Sequence, residues 1–260
     1  MNNSIISKVF YRISKVKLIP KWIRSLGVIQ LVKLHANFKT NNGENIRLKV
    51  KGYDNPIYLR PNTTDLRIFR QLFIEEEYNV DIPFKVKTIV DAGANCGYSL
   101  VYFANKFKGA KIIAIEPESS NIEMIKMNIS NYRNIEVIQG GLWDKSCSLM
   151  IVNKNAGKWA FKVSETTEDK AEFMGISLED IMSTYKLESI DLLKMDIEGS
   201  EKAVFLNHYE NWLPKTRFGL LEIHESYEKG ITSLVYDRLN KYNFEISQSG
   251  ENLVFKNIKV

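Results

Sequence analysis

From residue 87 onward the chain repeats one pattern: a short apolar run, a break at an acid, glycine or proline, and then a stretch with helical spacing. The runs are "KTIVDAG", "AKIIAIEP", "IEVIQGGLW", "SIDLLKMDIEG" and "RFGLLEIHE". Runs so uniformly apolar suit strands whose sheet is covered by helices on both faces. A helix between two strands returns the second parallel to the first. The final runs, "FEIS" and "LVFKNI", are joined only across Gln248 to Asn252. That link is too short for a crossover, so the last pair is antiparallel. The expected core is an α/β fold with a mostly parallel sheet and an antiparallel last strand.

Ahead of it, "NIRLKVKGYDNPIYLR" alternates as strands around a turn. "TTDLRIFRQLFIEEEY" predicts a helix from Thr64 or Asp65 with Leu66, Phe69, Leu72 and Phe73 inward. Helices are also expected from about Tyr98, over "SSNIEMIKMNISNY", over "SLEDIMSTYK" with a capping box between Ser177 and Asp180, and over "ITSLVYDRLNKY"; a hairpin is expected across Asn153 to Lys158. These readings divide the chain into a basic helical segment at 1–44, a small lead-in at 45–84 and the main domain at 85–260.

Of 36 basic and 31 acidic side chains, eleven and one fall in residues 1–51, which leaves the remainder at −5. Ile5, Ile6, Val9, Phe10, Ile13 and Val16 share a helical face flanked by Lys8, Arg12 and Lys15. Two roles fit residues 4–18: packing on the protein's own core, or peripheral contact with an anionic membrane or a partner. No run approaches the ~20 apolar residues of a membrane span, and no signal peptide is visible, so a cytoplasmic location is expected, peripheral to the inner face of a membrane if that helix binds there. Cys96 and Cys147 are too few for a disulfide framework and are expected as free thiols.

Ligands of open α/β sheets bind beyond the carboxyl ends of the strands, near the reversal in strand order. Asp91, Gly93, Asn95 and Gly97 stand at the end of the first main strand in the spacing D-x-G-x-N-x-G. A dinucleotide site would carry G-x-G-x-x-G and receive a pyrophosphate, which a nearby carboxylate repels. The expected ligand is cationic and free of phosphate. S-adenosylmethionine meets that description, with an ammonium that Asp91 attracts directly or through water. Glu116, closing the second strand, suits both hydroxyls of a ribose.

Taken together, "VDAGANCGYS", "AIEPESSNIEMIKMN", "SLEDIM", "IDLLKMDIEGSE" and "LLEIHE" resemble, in order and spacing, the FkbM-type S-adenosylmethionine-dependent methyltransferases. "IYLRPNTTDLRIFRQLFIEEEY" resembles that family's segment ahead of the cofactor domain. The chain departs from the pattern at Asn62, where a glycine is usual, which leaves the shape of the turn before Thr63 open. The resemblance implies a Rossmann-like class I methyltransferase fold with seven strands and a cofactor site of Asp91, Gly93, Ala94, Asn95, Gly97, Glu116, Pro117 and Asp196. It also implies a loop along the adenine, with Leu142 and Trp143 as apolar wall or backbone contacts; Trp143 equally fits a core position after a buried strand. The implied reaction is O-methylation of a sugar, glycan or related natural-product acceptor. Arg60, Thr64 and Asp65 would adjoin the acceptor or the methionine end, although a helix cap and a surface arginine fit them equally.

Methyl transfer to oxygen needs in-line positioning and removal of a proton. His224 is the expected base, as a neutral imidazole, with Asp196 orienting cofactor or acceptor and Glu198 supporting either. Alternation places Glu222 beside His224 on one side of the fifth strand end. Glu198 and Glu201 also read as acids suited to a helix start. Asp196, Glu198 and His224 could hold a divalent metal, but the sequence does not show that they meet, and none is assigned. Two rival functions remain. An RNA methyltransferase lacks support, since "MDIEG" is not an Asn/Asp-Pro-Pro-aromatic strand end, both cysteines lie elsewhere, and the main body is acidic, so nucleic acid is not an expected partner. A membrane-associated, non-catalytic S-adenosylmethionine-binding protein rests on the N-terminal helix alone.

Overall fold

A computed structural model describes residues 18–40, 43–152 and 163–258. The amphipathic stretch expected from Ile5 to Val16 and the turn expected across Asn153 to Lys158 lie outside these residues. The described residues begin with helix α1 (Ile19–Thr40), broken at Gly27, and strands β1 (Ile46–Leu48) and β2 (Ile57–Leu59), which pair antiparallel. Helix α2 (Asp65–Phe73) follows, with Leu66, Phe69, Leu72 and Phe73 buried as its spacing predicts. Trp22 of α1 is fully buried and stacks on Phe69 at 6.0 Å, which fixes α1 against α2. Among the described residues no helix is long and apolar enough to cross a membrane.

The main sheet contains β3 (Thr88–Ala92), β4 (Lys111–Glu116), β5 (Ile135–Gln139), β10 (Ile190–Met195), β11 (Thr216–Glu222), β12 (Glu245–Ser249) and β13 (Asn252–Lys256), in the order β12-β13-β11-β10-β3-β4-β5. All neighbours are parallel except β13, which inserts antiparallel between β11 and β12. This is the Rossmann-like class I methyltransferase arrangement. Strand order reverses between β3 and β10, so the crevice for a ligand opens there.

Period-two alternation splits the core in two layers. Ile89, Ile112, Leu192, Leu220 and Val254 face α2, α3 (Tyr98–Lys106) and α4 (Ser119–Asn128). Val90, Ile113, Leu193, Leu221 and Leu253 face α5 (Leu178–Thr184), α6 (Glu201–Leu206) and α7 (Ile231–Lys241). The capping box expected at α5 is present: Ser177 Oγ accepts from the Asp180 amide, and the Asp180 carboxylate accepts from the Ser177 amide.

The third expected strand does not run on through Trp143. It ends at Gln139, and Gly141–Leu142 forms β6 in a second sheet with β7 (Cys147–Ile151), β8 (Val163–Glu165) and β9 (Phe173–Ile176), ordered β6-β9-β7-β8. β7 and β8 pair antiparallel on either side of the expected hairpin turn. Asn62 takes φ 63°, the left-handed region that glycine occupies freely and asparagine tolerates, which explains how this chain does without the usual glycine.

Candidate active site

The first turn is shaped by the closeness of two strand ends. Gly93 has φ +80°, and a Cβ there would fall 1.8 Å from the carbonyl oxygen of Asp196, so only hydrogen fits. The amides of Gly93 and Ala94 donate to Ile115, and the Asn95 amide donates to Oε2 of Glu116 at 2.8 Å. Gly97 serves another purpose than the cofactor contact expected of it. It lies outside both cavities described below, with φ +85° and its missing Cβ directed 3.2 Å from Cα of Ile125, so it allows α3 and α4 to approach. Gly97→Ala is expected to cost about 1–3 kcal/mol in urea denaturation through backbone strain while cofactor affinity stays near that of the parent.

Beyond the turn opens a cleft of about 780 Å³. Its polar lining includes Asn95, Glu116 and Asn121, and its apolar lining includes Pro117, Leu142, Leu149, Val163 and Phe173. The second sheet supplies most of the apolar lining. Trp143, expected beside Leu142, is turned away: its indole N–H donates to Glu165 at 3.2 Å, and it does not line the cleft. Glu116 is buried, accepting from Asn95 on one oxygen and from the Glu118 amide and Asn121 Nδ2 on the other. Burial raises its pKa, against the pull of those donors.

Arg60 and Asp65 were expected near the acceptor, but they are engaged with each other. Arg60 grips the fully buried Asp65 through Nε at 3.0 Å and Nη2 at 2.8 Å. Nη2 also donates to Oδ1 of Asn121 at 2.9 Å, the side chain whose amide holds Glu116. The pair therefore positions the helix behind the polar lining. Thr64 is exposed, flanks the start of α2 and makes no side-chain cap bond.

Asp91 is the main correction. It is fully buried and lines neither cavity. Its neighbour across the β3–β10 register is Lys194, whose Nζ lies 3.3 Å from Asp91 Oδ1 and donates to the carbonyl of Gly93 at 2.6 Å. Burial alone would lower the lysine's pKa, but Asp91, Tyr78 and Asp196 outweigh it and raise the pKa. The charge read as an anchor for a ligand's ammonium is spent inside the core. The described lining of the cleft holds Glu116, Glu118, Asp196 and Glu198 and no lysine or arginine, a charge pattern unfavourable to a phosphate.

A second cavity of about 460 Å³ shares Gly93, Asn95 and Asp196 with the first and is bordered by Ala94, Lys194 and Glu222. Next to the shared Asp196, but lining neither cavity, stands His224. Its Nδ1 is 2.7 Å from Oε1 of the fully buried Glu201, while Nε2 faces Glu198 at 3.4 Å, Glu222 at 3.6 Å and Asp196 at 3.7 Å. Burial would lower the imidazole's pKa, but Glu201, Glu222 and Asp196 lift it to about 11. That direction runs against the neutral base expected from the sequence. Burial and neighbouring acids push Asp196 up to about 6 and Glu198 to about 7, against the opposing pull of Lys194 and His224 on Asp196 and of His224 on Glu198. Glu198 holds φ 54° in its turn, and a ligand atom from each of Asp196, Glu198 and His224 lies within 4.8 Å of the others, a set able to hold a metal.

Three members of this site went unassigned in the sequence. Lys194 is hidden in an apolar strand, Glu201 reads as a helix-start acid, and Phe173 lies on β9, which joins the expected hairpin but has no strand signal of its own in the sequence reading.

A family model described as "Methyltransferase FkbM domain" matches residues 91–246, more than half of the chain. The AMB antimetabolite synthetase AmbE of Pseudomonas aeruginosa is 23% identical over 225 residues, covering 69% of this chain but only 10% of that much longer protein. Methyltransferase sdnD of Sordaria araneosa is 26% identical over 181 residues, 55% of this chain and 70% of that protein. The crystal structure of an FkbM methyltransferase from Methylobacillus flagellatus overlays with a TM-score of 0.45 at 17% identity, covering 66% of this chain and 44% of the other. The chain belongs to the FkbM methyltransferase family.

Proposed function

We propose that the protein moves the methyl group of S-adenosylmethionine to a hydroxyl of a sugar, glycan or related natural-product acceptor. The observation that carries this reading is the junction of the two cavities, where a cleft lined, among the described residues, by acidic, polar and apolar side chains and no lysine or arginine meets a cluster of carboxylates. The cleft suits adenosine: Glu116 for the ribose, and Leu142 with Phe173 for the flat base. When bound, S-adenosylmethionine supplies an electrophilic methyl on a sulfonium; the acceptor oxygen gains that methyl and loses its proton, and the broken C–S pair returns to sulfur.

The chain's own part is positioning and proton removal. Asp196 borders both cavities, so it stands where acceptor and cofactor would meet, and the carboxylates around it receive the proton. The match to part of an antimetabolite synthetase fits a small-molecule acceptor.

Calorimetry with S-adenosylhomocysteine and with NAD tests the cofactor. We expect one-to-one binding of the first and none of the second, because the acidic lining opposes a pyrophosphate. NAD binding with no response to S-adenosylhomocysteine would overturn the reading. Acceptors are then screened by mass spectrometry for the gain of a methyl group.

A further inference from the structure

We propose that Asp196, Glu198 and His224 form a divalent-metal site, with Glu201 orienting the imidazole, and that the ion receives the acceptor's hydroxyl oxygen. The part of this assignment that concerns the acceptor rests on the O-methyl transfer proposed above; the metal site itself does not.

Spacing is the first argument. Charge-assisted hydrogen bonds between nitrogen and carboxylate are about 2.7–2.9 Å long. Nε2 of His224 faces three carboxylates, and all stand farther off, at 3.4, 3.6 and 3.7 Å. Ligands that each sit about 2.0–2.2 Å from a shared ion are separated from one another by about 3–3.5 Å. The cluster is spaced for an ion between its members more than for direct hydrogen bonds.

Orientation is the second. In metal sites a histidine ligand passes its other ring N–H to a carboxylate, which fixes the tautomer and aims the free nitrogen. Glu201 does this from the core. It is fully buried, with Oε1 on Nδ1 of His224 at 2.7 Å and Oε2 without a hydrogen-bond partner. Tyr227 stacks on the imidazole, its plane 3° from that of His224 with ring centroids 5.5 Å apart, so the imidazole cannot swing away without losing both contacts. A helix-start acid that served only the dipole would not be buried against the imidazole.

Charge is the third. Asp196, Glu198, Glu201 and Glu222 surround a single imidazole, and the nearby Lys194 is shared between Asp196 and Asp91. A divalent ion at Nε2 balances this excess better than one proton. Carboxylates with one imidazole suit Mn²⁺ or a related ion, which polarises a coordinated hydroxyl and eases transfer of its proton to the remaining carboxylate, Glu222.

The probe is Mn²⁺, titrated into the full chain by calorimetry and followed by its electron paramagnetic resonance signal, with S-adenosylhomocysteine titrated into the same preparation. One ion should bind per chain. Glu201→Gln, which touches no ion, should weaken binding about 10–100-fold, as outer-shell partners do. Glu198→Gln, at the more exposed position, should weaken it at least as much, and thermal unfolding of each variant checks that it is folded. Glu228→Gln, at an exposed acid outside the cluster, should leave it unchanged. Absence of binding at millimolar Mn²⁺, or binding indifferent to both Glu198→Gln and Glu201→Gln, overturns the site. If S-adenosylhomocysteine still binds in that case, the metal is wrong and the proposed reaction stands; if Mn²⁺ binds and S-adenosylhomocysteine does not, the reverse holds.

Discussion

Asp196→Asn is expected to lower turnover about 10²–10⁴-fold, the range for disabling proton transfer in the transition state, because it removes a charge from the centre of the cluster that handles the acceptor's proton. Asparagine keeps the shape of the side chain and removes its charge. Asp196 borders both cavities, with Oδ1 toward His224 and Oδ2 3.9 Å from Lys194, so this one change reaches the acceptor, the imidazole and the buried lysine together. Its backbone carbonyl, against which Gly93 closes, is untouched. Cofactor affinity should therefore hold within about tenfold, and the loss should fall on kcat more than on KM. Steady-state rates beside calorimetry with S-adenosylhomocysteine separate the two. A variant that loses binding and turnover equally would show that Asp196 serves the cofactor alone.

The strands were legible because their signal is local. A strand buried on both faces must be apolar at nearly every position, and those runs stand out in one dimension. The antiparallel final pair followed from the length of a single turn. Spatial neighbours did not follow, since nothing in "KTIVDAG" or "SIDLLKMDIEG" states that the two lie side by side. Asp91 therefore read as a lone acid at a glycine turn, and Lys194 as an interruption in an apolar run. Placing β10 beside β3 turns both into one ion pair.

The same limit explains Glu201. Three residues past Glu198, it looks like an acid that suits a helix start, and only the position of β11 beside β10 brings His224 onto it. Of the second sheet only the β7–β8 hairpin is legible, for a different reason. Its strands are short and half-exposed, and β6 continues in sequence from β5, so a change of sheet at Gly140 leaves no mark in the apolar pattern. Trp143 was consequently expected in the cleft lining. Asp196, Glu198 and His224 were found by residue type and by their place at strand ends, and the distances among them came from the structure.

Lys194→Met is expected to destabilise the fold by about 3–5 kcal/mol, the cost of breaking a buried pair and leaving one charge uncompensated. Asp91→Asn should cost less. The asymmetry comes from what each residue has left. With Lys194 gone, the carboxylate of Asp91 is fully buried with neither oxygen hydrogen-bonded, and Lys194 is its ion-pair partner. With Asp91 neutral, the ammonium still donates to Gly93 at 2.6 Å and lies near Asp196. Combining the two changes should return most of the stability lost in Lys194→Met, because a neutral amide beside an apolar chain carries no unpaired charge. Urea denaturation of the four proteins measures the coupling. Equal losses from the single changes, with no recovery in the double, would mean that Lys194 acts through the Gly93 carbonyl and that the ion pair contributes little. The glycine turn would then depend on that hydrogen bond as well as on those to Ile115 and Glu116, and the double variant should lose S-adenosylhomocysteine affinity in step with its stability.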